Sequence, residues 1–294
     1  MEGGRAITGA ALAAESGLEL VNQRPPFFRY LRATWQRRAF IRAFASAKVE
    51  AENSRSRLGQ LWQVLDPVFT MAVYWFLFGF LLGGRGSVEN YTGFLAVGVF
   101  SFALIRQSVT AGSRSISGNV GLVRAIHFPR AVLPLAIVYK QLRVFAVSIP
   151  IMLGILLITG ERITWNWLLA PVALALITLF AVGMAMIMAR VVAAVQDVAD
   201  VMPYFLRLWG YASGVMIPIA DRLDRLGAPP WAVVIIEINP GTVYLNIMRD
   251  ALMNTYDAPG GAANWAAAAA WSFGIGIFGV WYFWRAENRY GRGN

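Results

Sequence analysis

The sequence predicts an all-α integral membrane protein with six transmembrane helices, an N-terminal amphipathic interface helix, and short re-entrant helices between spans five and six. Of its 294 residues, 57% are hydrophobic and 14% are charged, whereas a soluble domain is about half apolar and a quarter charged. The apolar residues form runs near the ~20 residues that a helix needs to cross a bilayer. The net charge of +10 comes from arginines that flank these runs. Such clusters act as orientation signals rather than as a nucleic-acid surface.

The N-terminal region is predicted to contain two segments. Residues 1–24 are expected to form a flexible cytoplasmic tail, because the apolar run 7–14 is short for a signal peptide and Glu2 accompanies Arg5 before it. Residues 25–63 follow as an amphipathic interface segment, whose arginines would meet anionic headgroups while its aromatic rings enter the acyl boundary. A basic face for nucleic acid is the alternative, and the span that follows disfavours it. Residues 64–294 are predicted to form the transmembrane domain.

The six predicted spans follow from the long apolar runs, at about residues 67–82, 92–110, 133–159, 165–189, 201–220 and 265–284. The stretch 231–252 is moderately apolar but interrupted by Asn239, Pro240 and Gly241. That interruption predicts two half-helices that enter and leave the outer face of the membrane. Six crossings put both termini on one side, and the positive-inside rule assigns the arginine-rich termini to the cytoplasm.

Some chemistry is excluded by composition. There is no cysteine and the single histidine is His127, so a disulfide framework, a thiol nucleophile and a multi-histidine metal site are all ruled out. We therefore predict no catalytic residue and no metal ligand. The acidic residues of the predicted outer loops form no recognisable catalytic motif: Glu161, Asp221, Asp224, Glu237, Asp250 and Asp257.

Three local patterns resemble the ABC-2 type permease family and, within it, the polysaccharide exporters. The first is RLGQLWQVLDP at 57–67, similar to the family's approach to its first span. The second and strongest is NVGLVRAIHFPR at 119–130, similar to the cytoplasmic coupling segment between spans two and three. The third combines QDV at 196–198, IP at 217–218, and Asn239-Pro240 with Arg249. The resemblance covers nearly all of the chain from Phe27 onward.

The resemblance implies the permease subunit of an ABC exporter that moves lipid-linked polysaccharide across the bacterial inner (plasma) membrane. A homodimer bound to two copies of an ABC ATPase subunit is expected, with a polyprenyl-linked glycan as substrate. The sequence has no G-x-x-x-x-G-K-[ST] phosphate loop, and its only lysines are Lys48 and Lys140. ATP and Mg are therefore expected in the partner, with no cofactor in this chain. O-antigen, galactan and teichoic-acid polymers all remain open as cargo.

The connector between the second and third predicted spans is the predicted site of ATPase coupling. Coupling needs a rigid element that sits in a cleft of the ATPase and moves when that cleft closes. An ordinary inter-helix loop is the alternative. The predicted coupling residues are Asn119, Leu122, Val123, Arg124, Phe128, Pro129 and Arg130.

The first predicted span carries a series of aromatic residues. Sugars stack their C–H faces on aromatic rings, and an aromatic wall can hold a polymer while still letting it slide. Packing or lipid-facing rings are the alternative. Trp62, Phe69 and Phe76 repeat at seven residues with Phe80 four further, and a second pair is formed by Tyr74 and Phe78.

Three cations lie inside otherwise apolar runs, where charge is costly and often faces a polar path. They are Arg106 in span two, and Lys140 and Arg143 at i,i+3 in span three. One hypothesis is that they contact the pyrophosphate of a polyprenyl-linked glycan. Snorkelling of these long side chains to the interface is the alternative.

Other functions also remain open at this stage. An ABC-2 drug or peptide exporter would carry the same motifs. A membrane-embedded enzyme acting on lipid-linked sugars would need convergent carboxylates or histidines, and a scaffolding membrane protein would need neither the connector nor the intramembrane cations.

Overall fold

The structure is a computed structural model that describes residues 25–54, 60–81, 88–126, 128–219, 222–223 and 226–290. The predicted tail, residues 1–24, lies outside the described residues. Every regular element in the described part of the chain is helical, which confirms the predicted all-α class.

The α-helices follow one another with short connections. In chain order they are α1 (Phe27–Gln36), α2 (Arg38–Asn53), α3 (Gln60–Tyr74), α4 (Tyr91–Ser113), α5 (Val120–Ala125), α6 (Val132–Ile158), α7 (Ala170–Ala194), α8 (Val198–Ala212), α9 (Pro230–Ile238), α10 (Pro240–Leu252) and α11 (Gly261–Arg285). A π-helix, Trp75–Leu81, continues α3, and 3-10 turns precede α5 and α7 and follow α11.

Within the described ranges, four helical stretches are long and apolar enough to cross a membrane: Tyr91–Ser113, Val132–Ile158, Trp165–Ala194 and Gly261–Arg285. They match the second, third, fourth and sixth predicted spans, and they make the chain a multi-pass membrane protein. Helices α9 and α10 meet at an angle of 69° and would add a fifth span if counted as one. The first and fifth predicted spans coincide with shorter helices, Leu65–Leu81 and α8.

Helix α4 forms the centre of the bundle. Its residues Phe94, Leu95, Ala96 and Val97 have no exposed surface. Helices α3, α6, α7, α8 and α10 pack around it. A helix that is apolar on every side is stable only where neighbours cover every side, and this explains why α4 lies inside while the other spans keep an outer face.

Helices α7 and α11 approach each other closely through glycines. A Cβ atom on Gly279 would collide with the backbone oxygen of Gly183, and a Cβ on Gly183 would collide with that of Ile275. Small residues at a crossing let two membrane helices gain van der Waals contact along their backbones. Glycine is therefore required here for packing.

A buried carboxylate marks one end of the bundle. Glu161 accepts hydrogen bonds from the Asn90 side chain (2.9 Å) and the Asn254 backbone amide (2.7 Å). These contacts join the start of α4, the chain after α6 and the chain after α10. We call this the Glu161 end.

A second buried carboxylate marks the opposite end of α6. Glu287 accepts from the Tyr30 hydroxyl (2.8 Å) and from the backbone amide of Arg130 (2.9 Å), and the Tyr30 hydroxyl accepts from the Ala131 amide (3.0 Å). We call this the Glu287 end. The N-terminal helix α1 and the residues after α11 therefore lie on the same end of the bundle.

Candidate functional site

A groove of about 710 Å³ runs between α3, α4 and α8. Its walls combine aromatic rings with charged side chains. Those that bear on function are Trp62, Asp66, Phe69 and Tyr74 from α3, Arg106 from α4, and Arg207 and Tyr211 from α8. The groove thus unites three of the predicted aromatic residues with one of the predicted cations.

The six predicted aromatic residues divide into three pairs. Trp62 and Phe69 meet edge to face with ring centroids 6.4 Å apart, and each ring is 57% exposed. Phe76 and Phe80 stack at 5.8 Å further along, beyond the groove walls. The chain becomes a π-helix at Trp75, and each residue of a π-helix turns through a smaller angle than in an α-helix. The seven-residue repeat therefore ends at that point.

The remaining pair connects α3 to α8. Tyr74 contacts Phe78 at 6.5 Å and Tyr211 of α8 at 6.4 Å, both edge to face. Below them, the Trp75 indole donates to the Thr92 hydroxyl at 3.1 Å. These contacts fix one wall of the groove relative to α4 and α8.

Two cations and one carboxylate meet in the groove. Arg106 pairs with Asp66 at 3.2 Å across the gap between α4 and α3, and both side chains keep exposed surface. Arg207 of α8 lines the same cavity. Sequence reasoning missed Arg207 and Tyr211. The rule that selected Arg106, a cation inside an apolar run, applies equally to Arg207 in the fifth predicted span.

The other two predicted cations face α2. Lys140 is 6% exposed, and its Nζ lies 2.5 and 2.6 Å from the two carboxylate oxygens of Glu52. Arg143 donates to the Ser46 hydroxyl at 2.6 Å. The i,i+3 spacing does place both on the face of α6 that contacts α2, where Lys140 is buried and Arg143 remains exposed. A diphosphate could reach Lys140 only by displacing Glu52.

The predicted coupling connector folds as a 3-10 turn, Ser117–Asn119, followed by the short helix α5. Val123 is 4% exposed and packs in one apolar cluster with Tyr30 and Phe283. The Asn119 side chain donates to the Ser115 carbonyl at 2.8 Å. Val123 thus anchors the connector to the bundle, and the Asn119 side chain stabilises the turn before α5.

The rest of the connector divides between anchoring and outward-facing residues. Phe128 packs on Phe40 of α2, with centroids 5.6 Å apart, and Arg130 hydrogen-bonds through its side chain to the Glu287 carbonyl. Arg124 is exposed, whereas Leu122 and Pro129 are half-buried. His127 lies outside the described residues. Arg124 therefore belongs to the outward surface of α5.

Electrostatics at the Glu287 end follow from burial. Desolvation raises the pKa of the Glu287 carboxyl above its ordinary value of 4.5, although hydrogen bonds from the Arg130 amide and the Tyr30 hydroxyl oppose the shift. Desolvation and the neighbouring Glu287 charge likewise raise the pKa of Tyr30. The cluster is hydrogen-bonded but costly to keep ionised.

Arg249 holds the end of α8 in place. The side chain is 2% exposed and donates to the carbonyls of Gly214 (3.0 Å) and Val215 (3.3 Å), with its guanidinium 3.4 Å from the Phe94 ring centroid. Gly214 has a positive φ of 76°, a conformation that turns the chain away from the helix. Arg249 satisfies carbonyls that the turn leaves without helical partners.

Comparison with known proteins gives a consistent result. The family model described as ABC-2 type transporter matches residues 50–253. The chain is 29% identical over 197 residues to the O-antigen export system permease protein RfbA of Myxococcus xanthus, covering 67% of this chain and 75% of that protein. It is 27% identical over 201 residues to an O-antigen export system permease protein RfbA of Klebsiella pneumoniae, covering 68% and 74%. A second Klebsiella pneumoniae RfbA is 26% identical over the same length.

Proposed function

Because this chain belongs to the ABC-2 type transporter family, we propose that it is the permease subunit of an ABC exporter for lipid-linked polysaccharide. The relatives named above are O-antigen export permeases. The observation that carries the proposal is the groove between α3, α4 and α8, where half-exposed rings and two arginines share one cavity. The direction of transport would be from the cytoplasmic side across the bacterial inner membrane.

The groove suits a sugar polymer for two physical reasons. Trp62 and Phe69 expose more than half of their ring surface, and such surfaces bind the C–H faces of sugars without fixing one register. Arg106 and Arg207 supply cationic donors beside them. A diphosphate group carries the charge that these donors bind most strongly. The groove therefore has one wall for the glycan and one for its lipid-diphosphate end.

A homodimer would convert the open groove into a channel. Exposed apolar side chains continue along both edges of the groove. Phe76 and Phe80 lie on the π-helix that follows α3, and Tyr204, Phe205 and Leu208 lie on α8. Large exposed apolar surfaces of this kind mark contact with lipid or with another chain. A second copy related by a two-fold axis would close the groove against its own counterpart.

The proposed topology has six crossings and a re-entrant pair, and one contact at the bend between α9 and α10 supports the re-entrant pair. The Trp271 indole donates to the Ile238 carbonyl at 3.0 Å, so the bend between α9 and α10 lies beside Trp271. Trp271 is ten residues from the start of α11 at Gly261. That distance is about 15 Å along the helix. Helix α10 then returns to the Glu161 end. The arginine-rich Glu287 end would face the cytoplasm by the positive-inside rule.

Energy would come from a separate ABC ATPase, present in two copies, that binds ATP and Mg. The short helix α5 offers the docking element, since Val123 anchors it while Arg124 faces outward. Interface arginines are frequent contributors to binding energy. The anchoring contacts of Phe128 and Arg130 would pass a movement of α5 to α2 and to the chain after α11.

Lys140 and Arg143 stay proposed diphosphate contacts of a different kind from Arg106. Lys140 is buried and pairs with Glu52 of α2, whereas Arg143 is exposed and donates to Ser46 of the same helix. An entering lipid diphosphate could reach the exposed Arg143 directly, but it would reach Lys140 only by replacing the Glu52 carboxylate that neutralises it.

The test is transport by the permease and its ATPase subunit in proteoliposomes. The variant Arg106→Gln/Arg207→Gln removes both cations of the groove, and we expect export of lipid-linked polysaccharide to fall about tenfold or more. The matched control Arg162→Gln/Arg222→Gln removes two exposed arginines elsewhere. Equal transport in both double variants would refute the role of the groove. ATPase stimulation by amphipathic drugs but not by lipid-linked glycan would instead identify a drug exporter.

A further inference from the structure

A second cavity, of about 940 Å³, lies between α1 and α2 on one side and the spans α6 and α7 on the other. We call it the α1–α2 slot. Its wall on the bundle side is aliphatic and is formed mainly by Leu135, Val138 and Leu142 of α6 with Val182 and Met186 of α7. The α1–α2 slot is separate from the groove, which uses α3, α4 and α8.

Three of the side-chain hydroxyls in the lining of the α1–α2 slot already form hydrogen bonds with other protein atoms. Thr34 donates to the Tyr30 carbonyl at 2.9 Å, Thr178 donates to the Leu174 carbonyl at 2.7 Å, and the Tyr30 hydroxyl bonds to Glu287. Ordered water in a cavity needs two to four polar partners. The slot therefore favours an apolar occupant over water.

The depth of the α1–α2 slot corresponds to one leaflet of a bilayer. Along α6 its lining extends from Ala131, at the Glu287 end, to Leu142. Eleven residues of helix span about 16 Å, and half of the hydrocarbon core is about 15 Å. An acyl chain that enters from the Glu287 end would fill the slot to its full depth.

The mouth of the α1–α2 slot is cationic. Arg32, Arg38 and Arg42 line it and are exposed, and Arg38 and Arg42 share one face of α2 at i,i+4. Among the described residues, no carboxylate pairs with any of these three. Trp35 stands beside them with 70% of its surface exposed, as an aromatic residue at a membrane interface does.

We infer that the α1–α2 slot is a binding site for an anionic glycerophospholipid of the leaflet at the Glu287 end. Its acyl chains fill the aliphatic slot, and its phosphate is bound by Arg38 and Arg42 with Arg32 nearby. An apolar slot alone would accept any lipid, but the exposed arginines at its mouth select an anionic headgroup. A polyprenyl chain is far longer than one leaflet is deep, and this disfavours the lipid-linked substrate as the occupant.

The first experiment measures lipid binding to the full-length chain in neutral detergent by native mass spectrometry. Phosphatidylglycerol and phosphatidylcholine are titrated separately, and retention of phosphatidylglycerol alone is expected. For Arg38→Gln/Arg42→Gln, binding of phosphatidylglycerol should be about 30-fold weaker, because the free energies of two arginine–headgroup interactions are lost together. The control Arg29→Gln/Arg37→Gln removes the same charge from exposed positions outside the slot and should bind as the unmodified chain does.

Three outcomes of this titration would overturn the inference. Equal weakening in both double variants would mean general attraction to a basic surface. Equal binding of phosphatidylcholine would mean that the arginines do not select the headgroup. Displacement of bound phosphatidylglycerol by equimolar polyprenyl diphosphate would assign the slot to the carrier lipid.

A second experiment uses only the unmodified chain, so its result does not depend on whether a variant folds. The unmodified chain is illuminated with phosphatidylglycerol that carries a photoreactive group at the end of one acyl chain. Crosslinked peptides should contain Val138, Leu142 or Val182, the deep wall of the α1–α2 slot. Labelling confined to the exposed face of α11 at Phe273 and Ile277 would overturn the proposal. Neither result bears on whether the chain exports polysaccharide.

Discussion

At the scale of single residues, Glu287 joins three segments of the chain through one carboxylate. It accepts hydrogen bonds from the Tyr30 hydroxyl of α1 and from the Arg130 backbone amide at the end of the connector. Leaving a buried donor without its acceptor costs about 1–3 kcal/mol. A displacement of the connector therefore acts on α1 and on the chain after α11 together.

Glu287 should also make the stability of the protein depend on pH. Because burial raises its pKa above 4.5, the folded protein holds this proton more tightly than the unfolded chain. The stability that the protonated carboxyl contributes is complete below the ordinary value and is lost as the pH rises through the raised pKa. Glu287→Gln has no such titration. We expect the melting temperature of the unmodified protein to fall, relative to Glu287→Gln, as the pH rises across this interval.

The measurement is thermal unfolding of both proteins in detergent over a series of pH values. Glu50→Gln, which alters an exposed carboxylate on α2, is the control for removal of an acidic group. Parallel pH profiles for the unmodified protein and Glu287→Gln would contradict the assignment.

At the scale of elements, the helices differ in what their glycines do. At Gly279 and Gly183, α7 and α11 pack backbone against backbone, whereas Gly274 on α11 and Gly121 on α5 have open space where a Cβ would lie. Glycine is thus required for close helix packing at two of these positions, whereas the other two have room for a side chain. This contrast supplies matched pairs of variants.

Gly279→Ala should destabilise the bundle by about 1–3 kcal/mol, because the added Cβ forces α11 away from α7. Gly274→Ala, five residues earlier on the same helix, should leave stability unchanged or raise it slightly through helix propensity. Unfolding of the full-length chain in detergent measures both. Similar losses for the two variants would show that the close crossing is not the cause.

Gly121→Leu tests α5 as the docking element. A Cβ at this position would have no atom of the described chain within 4 Å, so the permease should fold normally while the added side chain pushes away a partner bound to α5. We expect binding of the ATPase subunit to weaken about tenfold or more, measured by co-purification and titration. Gly154→Leu on α6, also in open space, is the control, and unaltered binding by Gly121→Leu would place docking elsewhere.

At the scale of the whole molecule, contacts that hold α2 against the bundle include a partly buried ion pair and a ring contact. Lys140 pairs with Glu52, and Phe40 packs on Phe128 of the connector. Removing Glu52 would leave the buried charge of Lys140 uncompensated. The position of α2 therefore depends on α6 and the connector together, and α2 in turn covers Lys140 and forms one wall of the α1–α2 slot.

The double variant Lys140→Glu/Glu52→Lys separates the two roles of Lys140. The exchanged pair should keep α2 in place and leave thermal stability nearly unchanged, whereas each single variant should lower it. If Lys140 also receives a diphosphate, stimulation of the ATPase by lipid-linked glycan should be lost in the exchanged variant. Full stimulation would limit Lys140 to holding α2.

Several properties of this protein follow from its sequence alone. Hydropathy and composition predict the all-α membrane fold and locate the four long spans, because the transfer of each segment into lipid depends on that segment's own residues. The motifs around 57–67 and 119–130 indicated the family that the comparison confirmed. The helix break at Asn239 can also be predicted from the local sequence, because Pro240 and Gly241 follow directly.

Only the tertiary structure decided which side chains meet. Lys140 and Glu52 are 88 residues apart in the chain, and Arg106 and Asp66 are 40 apart. Such pairs depend on how each helix is rotated about its axis, and a helix with apolar residues on all sides gives no periodic signal for that rotation. The π-helix at Trp75 altered the rotation again and left Phe76 and Phe80 outside the groove. The spans are thus a property of local hydrophobicity, and the groove is a property of packing.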